Sequence, residues 1–166
     1  MGLDASYFVN YNWALGLKYS RFASQESLRN MQVDFNDGSS VQGTISDDIS
    51  INFIGPSFMS KYALNNSKHS FIGSFSFGYM SYLDESLLVN RNVNIKGSTL
   101  GAAIDLGYDF ALSKYLSIGA QASLTGGGLS KLKVNDGFTE NTINLEDENV
   151  ESLSRFDLGA GIRFKI

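Results

Sequence analysis

The side chains able to do chemistry in this 166-residue chain are few, and six of them stand out by position. Lys18, Asp105, Asp109, Arg155, Asp157 and Arg163 each sit within a stretch where every second residue is apolar, and each takes an alternate, non-apolar position. In an extended chain that spacing puts them all on the face opposite the apolar residues. Charges of both signs on one enclosed face either pair and fill the space or line a pathway for ions or solutes. An eight-stranded barrel, the architecture the strand pattern implies, has an interior just wide enough for side chains to fill, which favours the plug. Other chemistry is scarce. The single histidine, His69, follows Lys68 in a short polar segment and reads as a solvated turn residue. There is no cysteine, hence no thiolate and no disulfide framework. Glu146-Asp147-Glu148 with Glu151 supplies carboxylate oxygens of the kind Ca²⁺ takes, but lacks a spaced Asp-x-Asp-x-Asp-Gly ligand pattern and reads as a solvated loop. Gly126-Gly127-Gly128 is followed by neither Lys-Ser/Thr nor a helical pattern, so it is not a phosphate loop. The sequence thus predicts no catalytic residues, no metal and no cofactor.

The element that positions Asp105 and Asp109 is Ser98–Leu112. Leu100, Ala102, Ile104, Leu106, Tyr108, Phe110 and Leu112 alternate with Gly101, Ala103, Asp105, Gly107 and Asp109. A mean globular strand has about 5–6 residues, whereas a membrane-crossing strand needs about 9–11. Two carboxylates forbid a dry environment on both faces. The pattern predicts a wall strand of a transmembrane β-barrel, with lipid on one side and a charged interior on the other.

The remaining chain repeats the pattern. Apolar alternation marks strands at Leu3–Val9, Trp13–Tyr19, Ile49–Leu64, Phe71–Tyr79, Leu116–Leu124 and Phe156–Ile166. In the third of these strands the apolar phase slips by one after Phe53, beside Gly55-Pro56, which predicts a β-bulge. Short turns are expected near residues 11, 66 and 114, and long polar loops near 36, 89 and 140. The first loop contains Asn36-Asp37-Gly38 between Gln32–Phe35 and Val41–Ile45, a hairpin signal able to continue the wall strands. Short and long connections alternate, as in bacterial outer-membrane barrels with periplasmic turns and extracellular loops.

Charge and aromatic placement agree. All but four of the 17 acidic residues lie in the long loops, and those four (Asp4, Asp105, Asp109, Asp157) take the polar face. Net charge is −4, which argues against a nucleic-acid surface. Tyr7, Trp13, Tyr62, Phe71, Tyr108, Phe110, Tyr115 and Phe164 fall near the short turns, and Tyr19, Phe22, Tyr79 and Phe156 near the long loops. Two such groups predict periplasmic and outer aromatic girdles. No run approaches the roughly 18 apolar residues of a transmembrane helix.

Seven strands are evident, yet bacterial barrels have even numbers. The first strand also runs toward a periplasmic turn. The expectation is an all-β, antiparallel up-and-down transmembrane barrel, one domain over residues 1–166, with eight strands in the parent and the first missing. Met1-Gly2-Leu3-Asp4 is not a signal peptide, so export implies a leader that has been removed or lies outside this chain.

The segments L-D-A-S-Y-F-V-N-Y-N-W-A-L-G-L-K-Y-S-R-F, F-I-G-P-S-F, G-A-A-I-D-L-G-Y-D-F and L-S-R-F-D-L-G-A-G-I-R-F-K-I resemble small outer-membrane β-barrel proteins of Bacteroides-type bacteria, within the broader OmpA/OmpX/OmpW-like group. The resemblance covers nearly the whole chain and implies the barrel rather than an activity. It implies a bacterial outer-membrane location, an upstream glycine-rich strand, and recognition of the last strand by the barrel-assembly machinery. Such barrels commonly end on an aromatic, whereas this chain ends on Ile166 with Phe164 two before. The expected partners are the lipid bilayer, lipopolysaccharide and that machinery, with the protein a monomer. The expected role is non-enzymatic, in envelope structure or surface recognition. The alternatives are a soluble lipocalin-like carrier of apolar ligands and a narrow solute channel.

Overall fold

Almost every alternating segment forms extended backbone. The computed structural model describes residues 1–34, 40–64, 68–89, 91–145 and 150–164, with side chains except at 29–34, 40–42, 88–89 and 91. Its elements are β1 (Gly2–Phe8), β2 (Trp13–Asp34), β3 (Ser40–Ala63), β4 (His69–Val89), β5 (Arg91–Ala111), β6 (Leu116–Leu129), β7 (Lys131–Asn135), β8 (Glu140–Asn144), β9 (Glu151–Ser152) and β10 (Arg155–Phe164). Among the described residues no helix is long and apolar enough to cross a membrane, which says nothing about strands.

Seven strands make the wall, in the order β1-β2-β3-β4-β5-β6-β10, each antiparallel to its neighbour. This is the expected all-β up-and-down architecture. The short connections all lie at one end, called lower here. Asn10 Oδ1 accepts the amides of Asn12 and Trp13 at 2.9 Å each, so the Asn supplies the turn as its chemistry predicts. Ser113 Oγ does the same for Tyr115 and Leu116 at 3.2 and 3.1 Å. The turn expected at residue 66 lies outside the described residues. The wall is curled, because Lys18 on β2 bonds Asp105 on β5, and Arg155 on β10 donates to Ser20 on β2. β1 and β10 remain its two edges among the described residues, and an odd number of strands makes them run the same way.

Two expectations are corrected. The segments expected as long loops at 24–47 and 84–94 are largely strand: β2, β3, β4 and β5 have 22, 24, 21 and 21 residues. The flanks of the first hairpin pair as foreseen, Gln32 with Gln42 and Val33 with Val41, while Asn36-Asp37-Gly38 lies outside the described residues. In the third loop β7 and β8 form a hairpin that extends the wall from upper β5, and β9 pairs the end of β6. Glu146–Glu148 lies outside the described residues, as does Ile166.

The bulge at Gly55-Pro56 is absent. β3 stays in register with β2 through Lys18↔Gly55 and Leu17↔Pro56, and with β4 from Ile54↔Tyr79 to Ser57↔Ser76. The apolar phase slips because the apolar residues change sides. Ile51 and Phe53 point in and are buried, whereas Ile54 and Phe58 point out and are 45% and 46% exposed. The irregularity in this part of the wall lies instead between Leu28 and Met31.

Candidate functional site

All six charged residues singled out by spacing face the interior and pair there. Even positions of β2 and odd positions of β5, β6 and β10 point inward, which brings Lys18, Asp105, Asp109, Arg155, Asp157 and Arg163 together. Lys18 and Asp105 are each 3% exposed and Asp109 is 4% exposed. Lys18 Nζ donates to Asp105 Oδ1 at 2.5 Å. The same carboxylate accepts Ser74 Oγ from β4 at 2.6 Å, and Ser123 Oγ and Gln121 Nε2 from β6 at 2.5 and 3.1 Å. Asp105 therefore ties three other strands to β5. Arg163 pairs with Asp109. Arg155 bonds Asp157 through Nε at 2.9 Å and Ser20 through Nη2 at 2.6 Å. Asp4 stands beside Lys18 in register, and no ion pair to it is found among the described residues. It borders a cavity of about 510 Å³ along the open seam, together with Ser20, Arg155, Asp157 and Arg163.

Two apolar clusters flank the Lys18–Asp105 pair. Below it Ala14, Met59 and Ile72 are buried together. Above it Ile51, Phe53, Met80, Ala103, Leu129 and Leu153 form a second cluster, on which Ile49, Tyr82 and Leu132 pack. Gly101 and Gly127 are cross-strand partners, and a Cβ on either would meet Met80 Sδ, so these glycines leave the slot Met80 fills. Sequence reasoning missed the upper layer. Its signal was the phase slip at Ile54.

The outer face is the inverse. Among the described residues, the rows Leu3–Tyr7, Trp13–Tyr19, Ile54–Tyr62, Phe71–Tyr79, Leu100–Phe110, Leu116–Leu124 and Phe156–Phe164 present no charged residue outward. Leu15, Phe75, Phe77, Leu100, Leu106, Leu158 and Ile162 are all at least half exposed. Tyr62, Phe71 and Tyr108 form one row across three strands at the lower end. Trp13 stacks on Phe58 at 4.8 Å, and Lys114 lies over Tyr115 at 4.7 Å. Tyr7, Tyr115 and Phe164 are exposed there as well, and Phe110 lies beside them. At the upper end Tyr19 donates to Asn52 at 3.0 Å, and Tyr79 and Phe156 point outward. Phe22 does not join them. It pairs with inward-facing Ile51, and its ring centroid lies 5.9 Å from the Arg155 guanidinium carbon.

His69 is not a free-standing turn residue. Its Nδ1 hydrogen-bonds the Tyr108 hydroxyl, and its ring lies 5.2 Å from that of Phe110. Among the described residues no three His, Asp or Glu side chains gather as a metal site. Higher up, Tyr82 donates to Asp84 at 3.2 Å, and burial together with that carboxylate pushes its phenol up to about 12.

No protein-family model matches this chain, and no curated protein sequence matches it. Among solved structures it is similar to the crystal structure of the outer membrane protease OmpT from Escherichia coli, with a TM-score of 0.57 and 10% identity. That likeness covers 99% of this chain and 62% of the OmpT chain, so this chain spans less than two thirds of its neighbour's length. At that identity the likeness establishes one thing: the fold is that of a β-barrel wall.

Proposed function

We propose that this chain is a non-enzymatic integral outer-membrane β-barrel with a closed interior, its long upper strands forming an extracellular extension for envelope structure or surface recognition. One observation carries the reading: the outward rows carry no charged residue on any wall strand and are apolar but for Ser60, while Lys18, Asp105, Asp109, Arg155, Asp157 and Arg163 point in and pair. In water that arrangement exposes its apolar face and buries ions. In a bilayer both faces are matched, since an outward Arg or Lys at mid-membrane costs about 2–4 kcal/mol. The nine residues Phe71–Tyr79, at about 3.3 Å each on a strand tilted by about 40°, rise roughly 20 Å, close to the apolar band of such barrels. The edges support an eighth strand. β1 and β10 run in the same direction, so one strand antiparallel to both completes an even, fully antiparallel barrel. In this reading the partners are outer-leaflet lipid, lipopolysaccharide and the assembly machinery acting on β10, and the barrel is monomeric, as in the Bacteroides-type OmpX-like group it resembles.

A lipocalin-like carrier needs an apolar interior at mid-height, where Lys18, Asp105 and Asp109 lie. A narrow channel needs a polar path past Phe53, Met80 and Leu129. The deciding test is mobility in SDS of the detergent-purified protein, unboiled against boiled. Heat-dependent migration together with a requirement for detergent is expected. Full solubility without detergent and a single band would overturn the membrane reading.

A further inference from the structure

Above its apolar band the wall changes character on one side. Tyr79 and Leu100 are cross-strand partners and close the outward apolar rows of β4 and β5. The next row up holds Ser81 and Ser98, and the one above it Leu83 and Lys96. Lys96 faces Lys133 across β5 and β7. Gly97 looks inward, where a Cβ would touch Leu129 and Leu132, and Leu132 packs on the upper apolar cluster. Alternation therefore turns Lys96, Lys131 and Lys133 outward, and all three are exposed.

Strand direction sorts the neighbouring charges. β7 runs upward, so Lys131 lies nearest the apolar band. The acidic residues of this face stand beyond the lysines, Glu85 opposite Asn94 and Glu140 opposite Asn135. Glu140 reaches back to Lys133 at 3.6 Å, with both side chains more than half exposed, a pair of little strength. Cations thus face the band and carboxylates sit behind them.

Resting on the membrane-barrel reading, we propose that Lys96, Lys131 and Lys133 form a docking surface for the phosphate groups of an anionic glycolipid in the surrounding outer leaflet. Height fits this partner. Lys96 stands four residues above Leu100, which on a tilted strand is roughly 10 Å. The headgroup layer extends about 5–8 Å beyond the hydrocarbon, and lysine stems lie along a wall to bring their ammonium groups nearer. A lysine near an anionic surface contributes about 1 kcal/mol, so three of them change affinity roughly 10- to 100-fold once Glu140's share of Lys133 is discounted.

The test titrates full-length protein in neutral detergent with a diphosphorylated glucosamine-disaccharide lipid and counts bound lipid by native mass spectrometry. Its phosphate-free counterpart and excess inorganic phosphate provide the comparison arms. The triple variant K96Q/K131Q/K133Q is expected to weaken binding roughly 10- to 100-fold, whereas K68Q/K114Q at the opposite end leaves it unchanged. The phosphate-free lipid should bind wild type no better than the phosphorylated lipid binds the triple variant. Equal binding by wild type and the triple variant, or by the two lipids, overturns the proposal. Displacement by inorganic phosphate overturns the lipid assignment in favour of free phosphate. Heat-dependent mobility in the same samples reports the barrel separately, so its absence marks failure of the membrane reading, and the proposal falls with it.

Discussion

Lys18 on β2 and Asp105 on β5 form one buried ion pair, although β3 and β4 stand between them in the sheet. The pair exists because the sheet curls, and it holds the curl in turn. Removing one member leaves the other charge buried, which costs about 3–5 kcal/mol. Asp105→Ala is therefore expected to lower barrel stability by about that amount, and Asp105→Leu combined with Lys18→Met to recover most of it. Urea titration of the heat-modifiable form in detergent measures both. Equal stability of Asp105→Ala and wild type would show that the pair is not what secures the interior.

How far this interior was legible from sequence differs residue by residue. Alternation over Ser98–Leu112 correctly placed Asp105 and Asp109 on one face and Leu100 and Leu106 on the other, since that depends only on strand geometry. The partner of Asp105 was not legible, because it is decided by curvature across two intervening strands. Phe22 illustrates a second limit. It sits near the upper boundary like Tyr19, but falls on the inward phase, where it packs by Arg155. The phase slip at Ile54 imitates a bulge. A strand whose apolar residues move from inside to outside keeps its backbone register, and period alone does not separate the two cases. The upper halves of β2 to β5 carry polar residues over most of their length, so alternation there was too weak to read as strand.

The upper apolar layer leads to a prediction about conduction. Phe53 and Met80 are fully buried above the Lys18–Asp105 pair. Phe53→Ala is expected to cost about 3–5 kcal/mol through the cavity it leaves. Wild-type protein in planar bilayers is expected to show no steady conductance, because apolar clusters lie above and below the Lys18–Asp105 pair. A stable open channel in wild type would contradict the closed interior.

The seam makes a geometric prediction. Neighbouring strands lie about 4.8 Å apart, and disulfides need Cα atoms within about 4.4–6.8 Å. The chain contains no cysteine, so pairs introduced along the edges, such as Ala5→Cys with Ala160→Cys, report only on each other. If an eighth strand fills the seam, no edge pair in the full-length protein should oxidise within one barrel. Intramolecular disulfides at several heights would show β1 and β10 pairing directly.

Gly55 and Gly78 face each other where β3 crosses β4. A Cβ on Gly55 would lie 2.7 Å from the Gly78 Cα, and a Cβ on Gly78 would run into the Ile54 carbonyl oxygen. Pro56 next door has no amide to donate, and the pairing of β3 with β4 skips from Ile54 to Ser57. Gly78→Ala is expected to destabilise the barrel by about 1–3 kcal/mol, as overpacking does. Gly73→Ala, where an added Cβ meets nothing within 4 Å, serves as the neutral control. Comparing the temperatures at which unboiled samples lose their fast-migrating form decides the matter, and equal temperatures would show that the strands can part at this crossing.

The tip of the β7–β8 hairpin responds to acid through one carboxylate. Asp136 Oδ1 accepts the Thr139 amide at 2.7 Å, the Phe138 amide at 3.0 Å and the Thr139 hydroxyl at 3.1 Å, beside Gly137 at φ 88°. The Thr139 amide, followed by that of Phe138, holds this carboxyl below the ordinary aspartate value of about 3.9. A lowered folded-state value means that the turn gains stability above the unfolded value and loses it as pH falls through the folded one. Amide protection at Phe138 and Thr139 is therefore expected to be constant from neutral pH down to about 4 and to fall below it. Asp136→Ala should show the low-pH protection at every pH, because it removes the acceptor itself. Protection in that variant matching wild type at neutral pH would mean that Gly137 and the strand pairing hold the turn without Asp136.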